Sequence, residues 1–172
     1  MAIVYQAGGS GTSTNQTGTS TTISGRTWTA GWLLIAYATF TNGATANLTT
    51  TGVTWNQIDV IDYSGNWKTQ MWWAIANSTT SGSIALTTNG NAYVNLAVGA
   101  WSNDAGWAAA PLDKTNHASG SGSAASIASP SAISQAEELV VVGMGTNGGP
   151  SSVPSGWTRQ QYFDGNSNSI FF

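Results

Sequence analysis

Cysteine is absent from the 172 residues, and charge is nearly so. Without Cys there are neither disulfides nor thiolate metal sites. Asp, Glu, Lys and Arg make up 6% of the chain, against roughly 25% in ordinary soluble domains. The four cations, Arg26, Lys68, Lys114 and Arg159, are scattered. Nucleic-acid binding needs clustered Lys and Arg to displace phosphate counterions, so no nucleic-acid partner is expected. No apolar run reaches the roughly 18 residues of a membrane span, and no membrane partner is expected. The opening "MAIVYQAGG" lacks the basic and apolar regions of a secretory signal, which implies synthesis in a cytoplasm. The sequons at Asn15, Asn47 and Asn77 then read as chance products of a Thr-rich chain.

What is present is a core. Nine Trp and 41% hydrophobic residues argue against disorder, although Ser, Thr, Asn and Gly fill the spaces between apolar runs. Runs such as "IVYQ", "STTIS", "TWNQIDVID", "WKTQMWWAI", "SIALTT", "AYVNLAVGAW" and "ASIAS" are short and rich in β-branched or aromatic residues. Asn42-Gly43, Ser64-Gly65, Asn89-Gly90 and Asp164-Gly165 punctuate them as turn pairs. The pattern predicts an all-β chain, an antiparallel β-sandwich or jelly roll spanning 1–172 as one domain. Its core is expected to hold Leu33, Ile35, Met71, Trp73, Val94, Leu96, Val98, Val140 and Val142. "QAGGSGTSTNQTGTS" reads as an exposed loop.

The chain also echoes itself. "GWLLIAYATF" (31–40) matches "EELVVVGMGT" (137–146), "GVTWNQ" matches "GWTRQQ", and "SGNWKTQMWW" matches "DGNSNSIFF". Three landmarks in one order suggest two partly duplicated halves joined by a loop over 102–123. In that register Phe171 and Phe172 fall opposite Met71 and Trp72, in mid-strand. The terminal strand through Ile170, Phe171 and Phe172 therefore reads as unfinished, with the pattern expected to continue beyond it.

Catalytic constellations are poorly represented. His117 is the sole imidazole, with Asp113 near it in sequence, but no Gly-x-Ser-x-Gly elbow accompanies them. Asp59 and Asp62, three apart on an expected strand, face opposite sides. Nothing selects a distant pair such as Asp104 with Glu137 as glycosidase acids. "DYSGN" and "FDGNSN" lack the spacing of a calcium loop. No enzyme activity, metal or cofactor is expected.

The aromatic and small residues point elsewhere. Alternation through "WKTQMWWAIA" places Trp67, Met71 and Trp73 on a core face and Trp72 outward beside Lys68 and Gln70. Trp72, and Trp107 in the long loop, are candidates for stacking on a sugar or anchoring an interface. In the runs "WLLIAYATF" and "YVNLAVGAW" both faces are apolar, and Ala36, Ala38, Ala97 and Gly99 suit close approach of a neighbouring chain.

An apolar strand after Ala30-Gly31, "GVTW", the strand ending "WWAIA", then "AVGAW", "LVVVGMGT" and "PSGWT" together resemble a group of β-sandwich domains. These occur on phage particles, in head-decoration and tail proteins, and in some bacterial surface proteins. The resemblance runs from about Ile3 to the C-terminus and includes no catalytic signature. It implies a non-enzymatic role at a virion surface. Two functions follow as expectations. One is a capsid decoration or cement protein, an oligomer contacting the major coat protein and copies of itself. The other is a tail or fibre module that recognises a host surface glycan.

Overall fold

A computed structural model describes residues 2–41, 44–63, 65–120, 127–128, 138–145 and 155–160. Seven strands carry the fold: β1 (Ile3–Tyr5), β2 (Gly11–Trp28), β3 (Leu33–Thr41), β4 (Ala46–Thr50), β5 (Asn56–Tyr63), β6 (Trp67–Ile75) and β7 (Thr80–Asn103). All their pairings are antiparallel, and one turn of 3-10 helix (Ala7–Gly9) is the sole helical element among the described residues. The all-β, antiparallel, sandwich-like architecture read from the sequence is therefore present.

β7 organises the molecule. Its first part, Ile84–Thr88, pairs with β4 on one side, while Val94–Trp101 pairs with β3. β2 follows β7 along nearly its whole length, from Gly11↔Val98 to Trp28↔Thr80, with register shifts between Asn15 and Ser20. The sheet bends over on itself here, as strands that change layers do. Ile23, Leu48, Ile84 and Leu86 from the short layer then share one buried cluster with Leu34, Ala36, Ala38, Phe40, Trp72, Val94, Leu96 and Val98 from the long layer, β5-β6-β3-β7.

Burial follows this geometry. Between Thr80 and Thr88, exposed or half-buried positions alternate with the buried Ile84, Leu86 and Thr88, because one face of that layer meets solvent. From Val94 to Trp101 every residue is buried, as are Leu33 to Phe40 of β3. Both faces of β3 and of the end of β7 are thus covered, and the chain supplies the second cover itself. Leu33, Ile35, Tyr37, Ala97 and Trp101 form an outer cluster, against which Met71, Trp73, Trp107, Leu139 and Val141 pack.

Several sequence expectations change. The polar tract after β1 is no loop: residues 11–20 begin β2, since Thr is a good strand former and β7 offers a free edge. Where the ladder is interrupted, Asn15 repairs it, its Nδ2 donating to Ser20 O (2.7 Å) and its Oδ1 accepting from Thr17 N–H (3.2 Å). Asn89-Gly90 makes no hairpin, because β7 runs through it. The strand expected over 137–146 is absent from its described part, 138–145. β3 is already flanked by β6 and β7, so this run contributes side chains to the outer face. Leu139 and Val141 point in, and Val140 is 57% exposed, outside the core in which it was expected. Val142 is half-buried. Glu137, Ile170, Phe171 and Phe172, and with them the unfinished terminal strand, lie outside the described residues.

Candidate functional site

Trp72 does not point outward. It is 5% exposed and packs in the main core, on the same face as Gln70 and Ala74. Alternation assigned the two faces of β6 correctly but not their surroundings: the face carrying Lys68 and Gln70 meets the second layer, and the Met71/Trp73 face meets the outer cover. Gln70 tolerates burial because its Nε2 donates to Gln57 Oε1 at 2.7 Å.

The four small residues do not form one surface. β3 and β7 pair with Ala36 opposite Val98 and Ala38 opposite Leu96, which places both alanines inside the sandwich at 0% exposure. Ala97 and Gly99 pair with Tyr37 and Ile35 on the opposite, outer face. They too are buried, beneath the chain's own cover. Gly99 lies under the Trp101 ring, where a Cβ would collide, and Trp101 in turn meets Tyr5 edge-on at 5.7 Å between ring centres. The small residues serve internal packing.

The cover begins at a tight turn. Gly106 N–H donates to Asn103 O (2.8 Å) and Asn103 Nδ2 donates to Gly106 O (2.8 Å), with Gly106 at φ 77°. Residues 107–120 then run without strand pairing, within the expected connecting loop, and carry Trp107 onto the outer cluster. Further along, Gly143 and Gly145 bring the backbone down onto Tyr37, Thr39 and Thr69. The Tyr37 hydroxyl bonds to the Thr69 side chain and the Gly145 backbone. Burial pushes its pKa up, and those two bonds offset the shift only in part.

Between cover and sheet lies a partly open pocket of about 600 Å³. Ile35, Met71 and Trp73 line it from the sheet, and Trp107, Leu112 and Leu139 from the cover. At its border His117 Nδ1 meets Asp59 Oδ2 at 2.5 Å. The sequence paired His117 with Asp113, yet Asp113 lies 4.0 Å from Lys114 and the histidine's partner comes from β5, 58 residues away. No local pattern announces such a pair. Asp62, three residues on and therefore on the opposite face, meets Lys68 at 3.4 Å. Among the described residues no group of three or more His, Asp or Glu is placed to hold a metal ion. No helix among them is long and apolar enough to cross a membrane.

A second feature lies beside this cavity. β5 pairs with β6 alone among the described residues, and its Val60 and Tyr63 are 36% and 43% exposed. One edge N–H, that of Val60, is taken by Asp59 Oδ1 at 2.7 Å. No protein-family model, curated protein or solved structure matches the chain.

Proposed function

We propose that this chain is a non-enzymatic structural protein of a phage virion surface, a capsid decoration or cement subunit held by the major coat protein and by copies of itself. The observation that carries the reading is the β5 edge. An edge strand exposing apolar side chains is a template for another chain, and natural edges are usually guarded by free charge. Here the two edge carboxylates are engaged within the chain, Asp59 by His117 and Asp62 by Lys68. Both carboxylates are thereby turned to partners within the chain and do not stand free over Val60 and Tyr63. The sparse charge of the whole chain favours association in the same way.

Glycan recognition by a tail or fibre module is the other reading. Of its two candidate aromatics, Trp72 is enclosed in the core and Trp107 borders the outer cavity. With Trp72 enclosed, this reading keeps only Trp107 of its two aromatics, beside a lining in which Asp59, Asn116 and His117 are available to sugar hydroxyls. Assembly through an edge is therefore the reading supported best.

Mass spectrometry of purified particles tests it, with the chain expected in the virion. The double variant Val60→Lys, Tyr63→Lys should fold, judged by circular dichroism, and fail to join particles. Absence of the wild-type chain from particles overturns the proposal, as does undiminished incorporation of the variant.

A further inference from the structure

We propose that a second copy of this chain docks on the β1 side of the sheet about a two-fold axis, with Arg26 of each copy meeting Asp104 of the other. Among the described residues every charged side chain but these two is engaged within the chain. Asp59 meets His117, Asp62 meets Lys68 and Asp113 meets Lys114, while Glu138 and Arg159 have partners of their own. One cation and one carboxylate are left over.

Both are held ready for a partner. The Arg26 guanidinium lies on the backbone of Gly11, where a Cβ would stand 2.9 Å from Nε and from Nη2. Its Nε is enclosed without a hydrogen-bond partner, whereas the two terminal nitrogens are not enclosed. A half-buried guanidinium with its stem fixed and its fork open loses little freedom on taking a carboxylate. Asp104 is exposed on the tight turn after β7, where Asn103 Oδ1 accepts from Ala105 N–H (3.1 Å) and Asn103 O from Gly106 N–H (2.8 Å).

The sheet sets their relation. β1 and the start of β2 follow one another along the side of β7 away from β3, since Trp101 pairs with Tyr5 and Leu33, and Val98 with Gly11 and Ala36. Gly11, beneath Arg26, is level with Val98, and Asp104 follows Asn103, the last paired residue. The six residues of β7 and its turn between these levels span about 20 Å, too far for the pair to close within one chain. Two-fold symmetry closes it twice, because each surface then presents both halves of the pair to its own copy. Between the two charges lies Val4, opposite Ser102 and 47% exposed, on a strand that pairs with β7 alone among the described residues. An apolar centre flanked by opposite charges is the usual anatomy of an interface. β1 and β5 end the strand order on opposite sides, so this surface is independent of the β5 edge and of virion assembly.

Sedimentation velocity of the whole chain at low salt tests the inference. Between about 1 μM and about 1 mM the mass should rise from 17.7 kDa toward twice that value, and less steeply as salt is added. Arg26→Asp and Asp104→Arg should each weaken dimerisation at least about tenfold. The two together should restore it to within about threefold of wild type. If Arg26→Asp does not fold, Arg26→Gln and Asp104→Asn take their place, and the double variant should then be no weaker than either single one. Val60→Lys, Tyr63→Lys should dimerise as the wild type does. A chain that stays monomeric at about 1 mM, a dimer indifferent to both single changes, additive effects in the neutral pair, or loss of the dimer in the β5 variant would overturn the proposal.

Discussion

The ring of Tyr37 lies directly against the backbone of Gly143, with no space between them for a Cβ. This contact joins the centre of the long β-layer to a segment more than a hundred residues later in the chain. It shows how the cover is held: by backbone laid close on an aromatic ring, then fixed through the Tyr37 hydroxyl to Thr69 and Gly145.

Gly143→Ala should therefore loosen the cover before it harms the sandwich. Overpacking at such a contact costs about 1–3 kcal/mol. Hydrogen exchange should rise over 138–145 and in the middle of β3, while the far-ultraviolet dichroism stays that of the wild type. Unchanged protection in both places would show that the contact does not hold the cover.

Alkaline pH should weaken the fold through Tyr37. The folded state keeps its hydroxyl neutral above the pH at which an unfolded tyrosine ionises, about 10. The stabilisation is complete below that pH and declines above it, by about 1.4 kcal/mol per pH unit, until the folded hydroxyl itself ionises. Urea midpoints measured on both sides of pH 10 should fall along this slope in the wild type. Tyr37→Phe should be less stable at neutral pH, by about 0.5–1.5 kcal/mol, and should lack this part of the alkaline decline. Parallel curves for the two proteins would contradict the assignment.

Trp28 should be the most sensitive single side chain of the inner core. It is 0% exposed, and its Nε1 donates to Gly9 O at 3.1 Å, fastening the 3-10 turn to the end of β2. Trp28→Phe removes that donor and leaves a buried carbonyl short of a partner, at about 1–3 kcal/mol, with a further loss from the smaller ring. Thermal unfolding monitored by dichroism measures the sum. A loss below about 0.5 kcal/mol would mean that the bond contributes little.

The His117–Asp59 pair should act locally. His117 is 55% exposed and Asp59 31%, so solvent screens the interaction to about 0–1 kcal/mol. Asp59→Asn should raise hydrogen exchange over 112–118 and leave the melting temperature nearly unchanged. A large fall in melting temperature would show a structural role beyond the clasp.

The sequence by itself determined the all-β class. Short β-branched and aromatic runs, dense glycine and the lack of any sustained helical period leave no other way to bury nine tryptophans. It also marked β3 and the end of β7 as strands covered on both faces, because "WLLIAYATF" and "YVNLAVGAW" are apolar at even and odd positions alike. Tertiary structure alone decided what does the covering. Period-2 alternation sorts side chains into two sets but carries no information about what lies beyond each set. Trp72 and Trp73 could thus be told apart by face, and only the fold-over of β2 and β7 sent Trp72 inward. Local turn chemistry was likewise outweighed at Asn89-Gly90, which lies within β7 between its pairing with β4 and its pairing with β3, and where Asn89 N–H donates to Thr45 O. The run "LVVVG" has strand composition, yet β3 and β7 already have neighbours along both edges there, so Leu139 and Val141 bury side chains without joining the sheet. His117 and Asp59 meet for the same reason: a contact across 58 residues is fixed by the path of the cover, which no short stretch of sequence encodes.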